Sequence, residues 1–224
     1  MELTKDLIGR LVDVSAVRTQ SNIEEVEESV KVAKLYNFIC VYVLPSFIPY
    51  AKELLKGVSD TSLGGTVGFP SGASTTATKA FEAKELMDMG CKELDMVMNV
   101  GKLKSKLYEE VASDIKKIVE VSGSIPVKVI LEVALLTDSE IIEGSKIIYD
   151  CGANFIKTGT GWTGETTFNH IELIKKTVGD SIKLKVAGGV RTLDTFSKMV
   201  DMGVSRFGLN YKSATNIMNE FLKY

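Results

Sequence analysis

Histidine is nearly absent from this chain of 224 residues: His170 stands alone. That excludes a zinc centre built on several imidazoles and leaves a Ser-His-Asp triad with a single candidate. His170 lies in Phe168-Asn169-His170-Ile171-Glu172, where the pattern predicts the first turn of a helix and a solvated ring. Cysteine is scarce too. Cys40, Cys91 and Cys151 are odd in number, far apart and without a Cys-x-x-Cys pair, which excludes a disulfide framework and suits reduced thiols in the cytoplasm. Neither sign of charge dominates, with 27 basic and 29 acidic residues and a net charge of -2. No basic stripe marks a nucleic-acid partner. No apolar stretch approaches the roughly 18 residues of a membrane span, and Met1 to Arg10 alternates charge with single leucines, unlike a signal peptide. Only four prolines are present, and no segment reads as a long linker.

What the chain does have is repetition. Short apolar runs rich in β-branched residues end near Asp13, Val43, Phe69, Asn99, Glu132, Thr158, Ala187 and Leu209. Between most of them lie amphipathic stretches with charges at helical spacing, as in Glu24 to Tyr36, Thr75 to Met89 and Tyr108 to Val121. Strand followed by helix, eight times, predicts an α/β protein that is a single (β/α)8 TIM barrel, one domain spanning residues 1–224. Asp88-Met89-Gly90, Asp150-Cys151-Gly152 and Asp201-Met202-Gly203 each put a glycine where a helix would stop. The run Val127-Lys128-Val129-Ile130-Leu131 lacks clean alternation, as parallel strands covered on both sides do.

Active sites of such barrels lie at the carboxyl ends of the strands, and those ends are polar here. Asp13 and Ser15 finish the first run, Asp95 and Asn99 lie in the fourth, Glu132 ends the fifth, and Lys157 and Lys185 end the sixth and seventh. A lysine attacks a carbonyl only as the neutral amine, and an ordinary pKa of about 10.4 leaves little of it at neutral pH. A second ammonium about 6 Å away, at an effective dielectric of about 20, costs the first roughly 2.8 kcal/mol, near two pKa units. An aspartate such as Asp95 between the two could relay a proton and keep the second lysine charged. Each residue alone also has a plain reading: an exposed snorkelling lysine, a capping or ion-paired carboxylate. The three together at barrel strand ends favour chemistry.

Gly159-Thr160-Gly161-Trp162-Thr163-Gly164 matches the dinucleotide pattern G-x-G-x-x-G. The strand before it ends in Lys157, and no acid ends a strand about 20 residues on, so no nucleotide cofactor is expected. The turn Gly188-Gly189 and the segment Asn210-Tyr211-Lys212-Ser213 follow the seventh and eighth runs, the usual phosphate pocket of this architecture. Both also read as tight strand-to-helix turns.

Phe155-Ile156-Lys157-Thr158-Gly159-Thr160-Gly161 resembles the Schiff-base motif of the deoxyribose-phosphate aldolase family. Glu93-Leu94-Asp95-Met96-Val97 resembles its proton-relay motif, and Lys185-Val186-Ala187-Gly188-Gly189-Val190-Arg191 its second-lysine motif. The likeness runs over nearly the whole chain, including Val67-Gly68-Phe69-Pro70-Ser71-Gly72. The resemblance implies reversible cleavage of 2-deoxy-D-ribose 5-phosphate to acetaldehyde and D-glyceraldehyde 3-phosphate, without metal or other cofactor, by a homo-oligomer. It also implies Lys157 as imine nucleophile, Lys185 as the group depressing its pKa, and Asp95, with a water, as proton carrier. Substrate contacts are expected from Asp13, Ser15, Thr158, Thr160, Gly188, Gly189, Asn210 and Lys212.

Departures gather at the phosphate end. Leu209-Asn210-Tyr211-Lys212 stands where the family commonly has small residues and serines, and Trp162 where some members place a basic residue. The alternatives are therefore a Schiff-base aldolase with another aldose or sugar-phosphate acceptor, or a barrel lyase or isomerase whose lysines act only as electrostatic clamps. A terminal tyrosine can donate a proton in some members; Tyr224 directly follows an apparent helix, with no long tail.

Overall fold

The computed structural model describes residues 3–223, so Tyr224 lies outside the described residues. Eight strands, β1 Val12–Ala16, β2 Cys40–Val43, β3 Ser62–Val67, β4 Glu93–Val97, β5 Val127–Ile130, β6 Phe155–Lys157, β7 Lys183–Ala187 and β8 Arg206–Leu209, pair in sequence order. All pairings are parallel and β8 returns to β1, so the sheet closes into a barrel. The helices are α1 Lys5–Leu11, α2 Ile23–Tyr36, α3 Ile48–Leu54, α4 Thr76–Met89, α5 Val100–Lys104, α6 Tyr108–Ser122, α7 Asp138–Asp150, α8 Phe168–Val178, α9 Leu193–Asp201 and α10 Tyr211–Phe221.

Strand-to-helix loops end on side chains suited to stop a loop and start a helix. Asn22, Thr75, Asn99, Thr137, Thr167, Thr192 and Asn210 each accept a hydrogen bond from a first-turn amide, satisfying donors that the helix itself leaves free. At α8, His170 Nδ1 also accepts from the Thr167 amide, a reciprocal cap. The lone histidine is thus spent on a helix start and is only half-buried.

The runs found in the sequence are the strands, with shifted ends. β1 continues past Asp13 to Ala16, while β3, β4 and β5 stop at Val67, Val97 and Ile130. Asp13 and Lys185 therefore sit within their strands rather than at the ends. Cys40 opens β2, at the end of the strand away from the cavity mouth, and is fully buried. The segment 159–164 lies in the loop between β6 and α8, without the immediate strand-turn-helix junction that a dinucleotide site requires.

Alternate side chains separate two environments. Val12, Val14, Val41, Val43, Leu94, Met96, Val129, Ile156, Leu184 and Val186 belong to the apolar core beneath the helices. Their neighbours Asp13, Tyr42, Thr66, Asp95, Lys128, Lys157, Lys185 and Arg206 are also at most 8% exposed but face one another inside the barrel. Such interiors are ordinarily filled by branched apolar residues. An ionic interior is costly to desolvate and calls for a chemical explanation.

Candidate active site

Seven charged side chains form one connected network inside the barrel: Asp13, Glu93, Asp95, Lys128, Lys157, Lys185 and Arg206. Its centre is Asp95 on β4. Oδ2 of Asp95 accepts hydrogen bonds from Lys157 Nζ and Lys185 Nζ, each at 2.7 Å. The two ammonium groups are thus held against one oxygen atom, and Lys157 and Lys185 are direct register partners on adjacent strands. Lys185 also lies 2.7 Å from Asp13 Oδ2, with Nζ 4.1 Å from the centroid of the Tyr42 ring.

The layer beneath completes the network. Arg206 Nη1 donates to Asp13 Oδ1 at 2.7 Å and to Glu93 Oε2 at 3.3 Å. Lys128 Nζ pairs with Glu93, donates to the Tyr42 hydroxyl at 2.7 Å and lies 3.6 Å from Asp95 Oδ1. Gly64 makes room for the Tyr42 ring, since a Cβ there would stand 2.3 Å from Tyr42 Cζ.

Three carboxylates face four cations, and the electrostatics single out one lysine. Burial is the first cause that lowers the Lys157 amine, with Lys185 adding to it against the opposing pull of Asp95; the result is a pKa of about 8. Desolvation thus outranks the neighbouring ammonium from which the sequence argument built the shift, and so does the opposing attraction of Asp95. Burial would raise the Asp95 carboxyl, but Lys157, Lys185 and Lys128 hold it well below the ordinary carboxylate range. Asp13 is lowered in the same way, against its own burial, by Lys185, Lys128 and Arg206. With Lys157 neutral, three cations balance three anions.

A cavity of about 860 Å³ opens above the network at the carboxyl end of the strands, and both Lys157 and Lys185 line it. Among the residues expected to touch substrate, Asp13, Ser15, Thr160, Gly188, Gly189, Asn210 and Lys212 also line the cavity. Their side chains are partly committed. Asp13 is held by Lys185 and Arg206, Ser15 Oγ donates to the Leu209 carbonyl at 3.2 Å, and Thr160 Oγ1 accepts from the Trp162 amide at 3.0 Å. Asn210 caps α10 by accepting from the Ser213 amide at 2.9 Å. Lys212 is exposed at the rim, its Nζ 5.7 Å from the Tyr211 ring centroid. Thr158 is fully buried, and its hydroxyl contacts Thr166 Oγ1 at 2.7 Å and accepts from the Ala187 amide at 3.1 Å. Its polar group is therefore used to tie β6 to β7.

Sequence reasoning missed Lys128, Glu93, Arg206, Tyr42 and Thr66. Glu93, Thr66 and Arg206 each stand two residues from Asp95, Gly64 or Gly208 on the same strand, and Tyr42 two from Cys40, so the two-residue strand period carried the signal for these four. The flanking apolar residues hid it. Thr66 also lines the cavity, and its buried hydroxyl has no hydrogen-bond partner among the described residues. Nearer the mouth, Arg18 donates to the Gly161 carbonyl at 2.6 Å, Trp162 Nε1 donates to the Val17 carbonyl at 3.2 Å, and Phe69 packs edge-on against Trp162. These contacts link three loops around one opening.

Among the described residues, Asp13, Cys40 and Glu93 are close enough together to suggest a metal site. Both carboxylates already face Arg206, and Glu93 also pairs with Lys128. Burial, followed by the two carboxylates, pushes the Cys40 thiol well above its ordinary pKa, away from the thiolate that a metal needs. The donor set does not fit a bound cation.

Known proteins resemble this chain in architecture and in sequence. The deoxyribose-phosphate aldolase of Rhizobium meliloti is 43% identical over 214 residues, 95% of this chain and 86% of that protein. The solved structure of QR15, an aldolase, is 33% identical with a TM-score of 0.89, covering 96% of each chain. The tetrameric deoxyribose phosphate aldolase of Aeropyrum pernix, 24% identical, shares the fold at a TM-score of 0.88 over 98% of this chain and 92% of that one. The model of the DeoC/LacD family aldolases matches residues 10–210, and the chain belongs to that family.

Proposed function

We propose that the whole chain acts as one catalytic barrel, a class I aldolase that reversibly cleaves 2-deoxy-D-ribose 5-phosphate to acetaldehyde and D-glyceraldehyde 3-phosphate. The observation that carries this reading is a buried lysine near pKa 8, touching an ionised aspartate shared with a second lysine. At pH 7 about one Lys157 in ten is neutral, against fewer than about one in a thousand for an ordinary lysine. A lysine serving only as an electrostatic clamp has no use for a lowered pKa.

In the cleavage direction, neutral Lys157 adds to the C1 aldehyde of the open-chain sugar and the carbinolamine loses water to an iminium ion. Lys185, paired with Asp13 and Asp95, supplies fixed positive charge beside the departing oxygen. A base removes the proton from the C3 hydroxyl as the C2–C3 bond breaks; the bond's electron pair becomes the enamine and glyceraldehyde 3-phosphate leaves. Protonation at the enamine carbon and hydrolysis release acetaldehyde and restore Lys157. With three lysines holding it ionised, Asp95 does not keep a proton. Its part is to orient both lysines and a water that carries protons between the hydroxyl and the enamine carbon. The partner-free hydroxyl of Thr66 is available to hold that water or a substrate hydroxyl.

The sugar's phosphate is assigned to the Gly188-Gly189 turn and the start of α10, where backbone amides collect, with Lys212 on the rim. Ser15 and Thr160 line the sugar's path, while Asp13 and Thr158 position groups that touch it. No metal or other cofactor enters these steps. A homo-oligomer in the cytoplasm is the expected setting. The three thiols are unpaired and buried, which fits a reducing compartment, and no described helix is long and apolar enough to cross a membrane.

Release of acetaldehyde from 2-deoxyribose 5-phosphate, followed with an alcohol dehydrogenase and NADH, tests the reading. Turnover by the wild type and its loss in Lys157→Met are expected; turnover surviving in Lys157→Met would refute the assignment.

A further inference from the structure

The cavity's phosphate end contains a group of the wrong sign. Glu165, in the loop between β6 and α8, lines the cavity together with Gly188, Gly189 and Arg191. Its carboxylate accepts from Arg191 Nη1 at 2.7 Å. Its side chain also lies against the glycine turn: a Cβ on Gly189 would stand 2.9 Å from Glu165 Cβ and 3.2 Å from Cδ, the carboxylate carbon. Gly188 and Gly189 adopt φ values of 97° and 91°, which only glycine takes readily. The turn is thus open toward the cavity and overlaid by Glu165.

Resting on the assignment of the phosphate to this turn, we propose that Glu165 determines specificity at the acceptor end by competing with the substrate's phosphate for Arg191 and the glycine turn. The Glu165 and Arg191 side chains are 59% and 66% exposed, and an ion pair so exposed is weak, so a phosphate dianion can displace the carboxylate. It does so against residual repulsion, because Glu165 remains tethered beside the turn by Thr166, whose amide donates to the Gly188 carbonyl at 3.1 Å. A neutral acceptor pays no such cost. Compared with a site without this acid, the enzyme should discriminate less sharply in favour of phosphorylated sugars. Arg18 and Lys212, also on the rim, remain to attract the anion.

The test compares the wild type with Glu165→Gln on 2-deoxyribose 5-phosphate and on unphosphorylated 2-deoxyribose. The ratio of kcat/KM, phosphorylated over unphosphorylated, should rise roughly three- to tenfold in Glu165→Gln, mainly through a lower KM for the phosphorylated sugar, and the gain should shrink as salt is added. An unchanged ratio, or a change carried by kcat for both sugars alike, would overturn the proposal. If wild-type Lys157 forms no borohydride adduct with either sugar, the aldolase reading itself has failed, a result distinct from an unchanged ratio.

Discussion

Lys157, the nucleophile of the proposed mechanism, also carries a stability cost. Its amine is lowered from 10.5 to about 8, first by burial, so the unfolded chain binds more protons than the folded one between those values. The cost of burying the charged form is fully present below pH 8 and relieved as pH rises toward 10.5. Replacing Lys157 with methionine should therefore abolish turnover yet raise stability at pH 7 by about 1 to 3 kcal/mol, read as a higher urea midpoint. Asp95→Asn is expected to act in the opposite sense, since it leaves three lysines around a neutral amide. A loss of about 3 to 5 kcal/mol follows from breaking a buried pair. Removing the partner that favours the ammonium also lowers the Lys157 amine further. Any folded Asp95→Asn should thus still be trapped by borohydride at Lys157 while releasing little acetaldehyde, separating imine formation from proton transfer. Thr66→Val removes an unsatisfied buried hydroxyl and should change stability by less than about 1 kcal/mol while lowering kcat.

At the scale of elements, the strands were legible because parallel strands covered by helices read as apolar runs, and helices such as α2, α4 and α6 because charge fell at their spacing. Strand ends were less legible. Asp13 and Lys185 looked terminal because polarity usually marks an end, whereas here polarity marks the inward face of continuing strands. Lys128 was overlooked for the same reason: between Val127 and Val129 it resembles one exception in an apolar run, although β5 turns it toward Asp95 and Glu93. The loop-borne contacts of Arg18 and Trp162 depend on how three loops meet, which no local pattern encodes. Gly64 shows how an element is shaped for the site. Gly64→Ala would drive a Cβ into the Tyr42 ring, displacing the ring that Lys185 faces. A loss of about 1 to 3 kcal/mol from overpacking is expected, with activity falling more than stability alone explains. The check is turnover measured well below the variant's Tm.

Across the whole molecule, the barrel interior exchanges apolar packing for a charge network, which ties stability to pH. Asp13 and Asp95 are both held below their ordinary 3.8 by surrounding cations despite burial. Their stabilisation is complete above about pH 4 and is lost as pH falls through the lower folded values. Urea midpoints should therefore decline steeply below pH 4. The steepness comes from a site that needs four buried cations near three carboxylates, one of them able to lose its proton. That requirement favours Lys157 over Lys185 as the proposed nucleophile: Lys185 has two carboxylates at 2.7 Å, Lys157 only one.

Borohydride trapping across pH, followed by peptide mapping, tests that claim most directly. With 2-deoxyribose 5-phosphate present, the initial trapping rate should rise between pH 6 and 9 with a midpoint near 8, and the reduced adduct should map to Lys157 alone. An adduct on Lys185, or on Lys157 with a midpoint near 10, would contradict it.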